Sequence, residues 1–159
     1  MDKNRIEGKL EIVKGLSGIL ADSYVLGLKT QNFHWNVKGK SFYHLHQLFE
    51  DQYTSLFEHI DVIAERISAL GYRVPGSLKE FTRLASIMET ESELNSHEMI
   101  KELEMGYQKV KSKLYETIKI SEAIDDYTTT DVLSSFMSTI DKNQWVLSSI
   151  SYDDKREVL

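Results

Sequence analysis

His46 and Glu50 stand four residues apart, as do Asp61 and Glu65. On an α-helix that spacing puts each pair side by side on one face. Imidazole and carboxylates without sulfur suit iron, zinc or manganese. A carboxylate-rich set with spare positions favours iron redox chemistry over structural zinc. At 3.6 residues per turn all four residues share one stripe, with Tyr53 and Phe57 between the pairs. His46 and Asp61 are 15 positions apart (61 − 46), roughly 22 Å at a rise of 1.5 Å per residue. No single ion spans that distance within one chain. Two copies of the helix, antiparallel about a two-fold axis, would set His46 and Glu50 of one copy against Asp61 and Glu65 of the other, twice over. Tyr53 and Phe57 would then lie near the axis as an apolar seal. The same residues are equally compatible with a solvated acidic face that carries one histidine.

The remaining histidines are less organised. His34 ends the first helical segment beside Trp35, just before a break, from where it could fold back toward His46; spacing does not decide this. His44 and His59 point off the stripe and read as surface or packing residues. His97 has Glu93 four residues before it, the pattern of an exposed pair.

Four long helices must position these groups. The first runs from about Asn4 to Phe33, with Leu10, Val13, Leu20, Tyr24 and Leu28 as its main apolar line. Ile12, Leu16, Ile19, Val25 and Leu26 widen that line into a second buried surface. The segment Trp35–Ser41, with Gly39, is the first break. The second helix runs from about Phe42 to Leu70 on Leu45, Phe49, Leu56, Ile60, Ile63 and Ile67, with Gln52 as one polar exception, and Gly71 ends it. The stretch 71–77 holds the only proline, and Leu78–Met88 has room for a short helix. The third helix is expected over about Ser92–Ile120. The fourth is expected from a Thr129 or Thr130 cap to about Ile150, followed by a loose polar tail. These elements predict an all-α four-helix bundle with a short extra helix in the long connection between helices 2 and 3.

Composition narrows the function. The 159 residues make one domain, 1–159, with 41% hydrophobic and 28% charged residues, enough for a core and a solvated surface. Cysteine is absent, which excludes disulfides, thiolate zinc, iron–sulfur clusters and a cysteine nucleophile. Eight glycines and one proline are too few turn-formers for a barrel or sandwich of short strands. The N-terminal ten residues carry no apolar signal region and no window reads as a membrane span, so a cytoplasmic protein is expected. A net charge of −6 disfavours nucleic-acid binding.

The run Gln31-Asn32-Phe33-His34-Trp35-Asn36-Val37-Lys38-Gly39 resembles the signature of the Dps family, the mini-ferritins that protect bacterial DNA from oxidative damage. The likeness continues through Leu45-His46, Leu48-Phe49, Ile60-Asp61, Ile63-Ala64-Glu65-Arg66-Ile67 and Leu70-Gly71. It resumes at Asp126, Thr130-Asp131, Leu133, Lys142 and Trp145, so it covers nearly the whole chain. The resemblance implies a ferritin-like bundle assembled as a hollow homo-dodecamer. It implies that Fe(II) is oxidised by hydrogen peroxide at ferroxidase sites shared across two-fold interfaces, with Fe(III) stored in the cavity. It assigns His34 and His46 to one subunit and Asp61 and Glu65 to its neighbour. It puts Trp35 beside the iron as a radical quencher, and makes Asp126 and Asp131 candidates for lining a three-fold pore through which iron enters. A helix-start carboxylate favoured by the dipole is the plainer explanation of those two aspartates. The chain also has no Glu-x-x-His of the kind larger ferritins use within the bundle.

Two positions depart from the pattern. Glu50 stands where most members have Asp, and its extra methylene is expected to shift or weaken the second iron position. Gln47 replaces a frequent Glu, which thins the acidic inner surface. Neither terminus is lysine-rich: Lys3, Arg5 and Lys9 face Asp2 and Glu7, and the tail carries Asp153, Asp154 and Glu157. Phosphate binding draws on clustered cations, so weak or absent direct DNA binding is expected at physiological salt. The alternatives are a metal-independent DNA-compacting protein, which the charge opposes, and a helical interaction protein that uses the same face only to dimerise.

Overall fold

The computed structural model describes residues 3–154. Within them the chain forms five helices: α1 (Lys3–Asn36), α2 (Phe42–Ala69), α3 (Leu78–Leu84), α4 (Ser96–Ala123) and α5 (Tyr127–Asp154). Helix α1 packs on α2 and α4, and α5 packs on α4 and α2. Helices α2 and α4 therefore sit on a diagonal of a four-helix bundle, and the long connection between them crosses it with α3 lying against α1. None of the described helices is long and apolar enough to cross a membrane.

The apolar positions of α2 bury as their rhythm requires: Leu45, Phe49, Leu56, Ile60, Ile63 and Ile67, with Gln52 also buried. Each such aliphatic or aromatic side chain stabilises the fold by about 1.5–3 kcal/mol through area removed from water. Helix α1 corrects the expected core line. Leu10 and Leu28 are exposed, while Ile12, Leu16, Ile19 and Leu26 are fully buried. Three neighbours on α1 make the stripe taken as secondary the primary one. The close approach of α1 to α4 needs small residues: a Cβ on Gly15 would run into Thr117, and one on Gly106 into Leu26.

Helix ends follow local chemistry. Gly71, at φ +90°, closes α2 in the left-handed region that glycine tolerates. Ser77 and Asn95 each make a reciprocal capping box, with Glu80 and Glu98 respectively. The Asn95 cap is why α4 starts at Ser96 and not at Ser92. Helix α3 stops at Leu84 because buried Asp22 of α1 accepts from the backbone N–H groups of Ser86 and Ile87 and from the Ser86 hydroxyl, while Lys113 pairs with it at 2.6 Å. Helix α5 starts earlier than a threonine cap would place it, since Asp126 caps it from the residue before Tyr127. It also continues through Ser151–Asp154, where a loose tail was expected; the rest of that tail lies outside the described residues.

The bundle centre holds a closed polar triad. The Tyr107 hydroxyl donates to Gln52 Oε1 (3.3 Å) and accepts from Asn143 Nδ2 (3.2 Å), while Gln52 Nε2 donates to the Asn143 carbonyl (3.4 Å). Burial drives the Tyr107 phenol pKa upward, partly offset by the bond from Asn143. The polar exception read on α2 is thus a structural strut, satisfied on both sides.

Candidate metal centre

Val37–Ser41 joins α1 to α2 in a tight reversal. The Val37 N–H donates to the Phe33 carbonyl at 2.8 Å, and the Phe42 N–H to the Gly39 carbonyl at 3.1 Å, with Gly39 at φ +104°. Buried Val37 anchors the turn from below. This reversal lays the last turn of α1 against the second turn of α2, and so brings His34 onto His46.

The two imidazoles stack with centroids 3.8 Å apart and planes 18° from parallel. Their hydrogen bonds are reciprocal. His34 Nδ1 lies 2.7 Å from the His46 carbonyl, and His46 Nδ1 lies 2.8 Å from the His34 carbonyl. A carbonyl oxygen only accepts, so each Nδ1 carries a proton, and in the neutral form of each ring the lone pair lies at Nε2. Fixing one ring nitrogen on a carbonyl in this way presets the other as a metal donor. Phe42 stacks on His46 at 5.0 Å and Tyr53 meets His34 edge-on at 5.5 Å, so two aromatic rings flank the pair.

The other sequence-selected residues lie apart from this pair. Among the described residues, no group of three or more histidine, aspartate or glutamate side chains converges as a metal cage. Glu50, half-buried one turn beyond His46, lines an open depression with Gln47, Asp51, Thr54, Ser55 and Glu58. Asp61 and Glu65 are exposed further along the unbroken α2. Tyr53 and Phe57, between the pairs, are partly exposed and meet at 6.3 Å. One chain thus presents two imidazoles at one end of the stripe and two free carboxylates at the other. Trp35 is 63% exposed and lines a separate groove with Val25, Leu28, Asn32 and Glu89–Glu91.

Asp126 and Asp131 also part company. The Asp126 carboxylate accepts from Arg66 Nη2 (2.8 Å), from the Thr129 N–H (3.1 Å) and from the Thr129 hydroxyl (2.6 Å). Partial burial alone would raise its pKa, but the Thr129 bonds and the Arg66 charge outweigh that and hold it below the ordinary aspartate value. Its carboxylate is committed to starting α5, whereas Asp131 is exposed. His59 stacks on Phe136 at 4.4 Å and bonds Thr139. Burial lowers its pKa, partly opposed by Glu58, in keeping with a packing residue.

Sequence reasoning missed three contacts. The Asp22 clasp and the part-buried Lys29–Glu102 ion pair (2.9 Å) join positions far apart in the chain and carry no local signal. Tyr53 against His34 was findable, because the wheel already put Tyr53 on the stripe.

Comparison with known proteins gives a consistent likeness. A family model described as a ferritin-like domain matches residues 13–156. The chain is 34% identical over 137 residues to DNA protection during starvation protein 2 of Bacillus anthracis, covering 86% of this chain and 94% of that one. Among solved structures, a Dps protein from Bacillus brevis matches with a TM-score of 0.88 at 29% identity, covering 94% of this chain and 99% of that one. A Dps protein from Vibrio cholerae O1, described as one of the ferritin-like diiron-carboxylate proteins, matches with a TM-score of 0.86 at 26% identity over 90% of each chain.

Proposed function

The chain belongs to the Dps family of ferritin-like proteins, and from that premise we propose that it oxidises Fe(II) at sites completed between two copies and stores the Fe(III) inside a hollow dodecamer. The observation that carries this reading is the stacked His34 and His46 pair, each ring fixed through Nδ1 on the other residue's carbonyl, with exposed carboxylates at the far end of the α2 face that carries His46. Such a half-site calls for its complement. A second α2, antiparallel about a two-fold axis, supplies Asp61 and Glu65 to the imidazoles and receives the same in return. Gln52, Tyr107 and Asn143 at the bundle centre are bonded to one another, which supports the interface over the bundle interior.

Fe(II) is the substrate. His34 and His46 bind it through Nε2, Asp61 and Glu65 supply hard anionic oxygens that favour the ferric product, and Glu50 extends the set toward a second ion. Two ferrous ions give up one electron each. Hydrogen peroxide takes both electrons with two protons and leaves as two waters, so no hydroxyl radical is released. Tyr53 and Phe57 exclude water from the axis. Asp131, with its carboxylate free, lines the pore through which Fe(II) enters, and Asp126 shapes that pore by starting α5 beside it. Protection against oxidative stress follows from consuming Fe(II) and peroxide together.

Anaerobic titration with Fe(II) tests this. Saturable uptake is the expected result; a protein that takes up no Fe(II) is a helical interaction protein instead.

A further inference from the structure

We propose that Met88 and Met105 form a peroxide-modification site, whose conversion to methionine sulfoxide loosens residues 86–92, a strap within the connection from α3 to α4. The inference stands apart from the iron chemistry. It starts from how the strap is fastened. At one end Asp22 accepts from the Ser86 and Ile87 N–H groups, and Lys109 Nζ donates to the Ser86 carbonyl at 2.8 Å. At the other, Thr90 Oγ1 donates to Glu102 at 3.5 Å, Glu102 pairs with Lys29 at 2.9 Å, and Asn32 Nδ2 donates to the Thr90 carbonyl at 3.4 Å. Between these two sets of bonds stands Met88, 79% exposed, with buried Ile87 before it.

Met105 is the matching group on α4. Glu102, Met105 and Lys109 follow at i, i+3 and i+7, so the thioether shares one helix face with the two α4 residues that hold the strap. Met88 and Met105 line one depression of about 390 Å³ together with Lys29, Glu102 and Lys109. Met105 is 48% exposed, whereas Met99, earlier on the same helix, is 3% exposed. Dissolved peroxide therefore meets the sulfur atoms of Met88 and Met105 and is kept from that of Met99.

The step is a two-electron oxygen transfer. A sulfur lone pair attacks one oxygen of hydrogen peroxide. The S–O bond forms, the O–O bond breaks, and the departing hydroxide takes up the proton left on the transferred oxygen. Each thioether is oxidised to a sulfoxide, and each peroxide is reduced to water. A flexible apolar side chain thus becomes a polar one. Lys29 and Lys109 are the ammonium donors of the depression, and both already serve the strap. A sulfoxide oxygen competes with Glu102 and with the Ser86 carbonyl for them, so the strap loses part of its hold. Methionine sulfoxide reductases reverse the change.

The assembled protein, stripped of iron with a chelator, is treated with hydrogen peroxide and quenched with catalase. Peptide mass spectrometry then locates the added oxygen, and hydrogen exchange reads the strap. Met88 and Met105 are expected to gain one oxygen each, several-fold faster than Met99. Amide exchange over 86–92 is expected to speed up several-fold, while exchange over 56–67 of α2 stays as it was, and reduction of both sulfoxides returns the strap to its starting rate. The double variant Met88→Leu with Met105→Leu keeps volume and apolar character, and its strap is expected to ignore peroxide. Oxidation of Met99 as fast as the exposed pair overturns the inference. So does an unchanged exchange rate over 86–92 once both sulfoxides have formed, or a leucine variant whose strap loosens as the wild type's does.

Discussion

His34 and His46 hold each other by exchange: the Nδ1–H of each ring donates to the other residue's backbone carbonyl, at 2.7 and 2.8 Å, while the rings stack at 3.8 Å. Backbone acceptors survive any side-chain change, so the orientation of each ring is written into the α1–α2 reversal and does not require its partner's imidazole. That makes the pair a preset half of a metal site. Under the proposed reading its other half comes from a second copy's carboxylates, which the same chain keeps roughly 22 Å away along α2.

Under the proposed reading, Glu50 is the position that sets the second ion. It is half-buried at the edge of an acidic depression and has one methylene more than aspartate. Glu50→Asp is expected to tighten the second Fe(II) equivalent and leave the first unchanged. Anaerobic calorimetry with Fe(II) checks this; a second equivalent that weakens would reverse the assignment.

Asp126 gives a pH signature of stability. Its folded pKa is depressed, so its contribution is fully present above the unfolded aspartate value and disappears as pH falls through the folded one. Asp126→Ala removes a helix cap and the Arg66 partner, and is expected to cost about 1–3 kcal/mol at neutral pH. Thermal unfolding as a function of pH should show the gap between wild type and variant closing in acid. A gap that stays constant would mean the carboxylate charge is irrelevant there.

Much of this was legible before any coordinates, and the boundary is physical. The rhythm from Leu45 to Ile67 fixed α2 because one face must leave water, and the same wheel exposed the His46–Glu65 stripe. Lines such as Leu10 to Leu28 misled because α1 has neighbours on three sides, and periodicity alone does not say which stripe goes deepest. The starts of α4 and α5 moved because Asn95 and Asp126 out-competed other cap candidates, a choice made by backbone geometry. The His34–His46 contact depends on the positive φ of Gly39, which no spacing rule encodes.

Tyr107 separates structure from chemistry. Tyr107→Phe leaves the buried Gln52 Oε1 without its donor. A loss of about 1–3 kcal/mol is expected, measurable as a shift of the denaturant midpoint, with Fe(II) oxidation unaffected once the protein is folded. A variant of full stability but slow iron chemistry would move the metal centre into the bundle.

Direct DNA binding is expected to be weak or absent near neutral pH at physiological salt, since each chain carries a net charge of −6. Electrophoresis of supercoiled DNA with the purified protein checks this. A complete retardation of the plasmid would contradict it.

The sharing of one site between two copies is tested most directly by complementation. His46→Ala removes one half of the donor set and Asp61→Ala the other. Each variant assembled alone should therefore oxidise Fe(II) with peroxide only slowly. Mixed dimers, formed by co-expressing the two and purified through different tags, should regain one intact site of two, and with it about half the wild-type rate, as two-fold geometry requires. Mixed dimers no faster than their parents, or parents as fast as wild type, would contradict a site built from both chains.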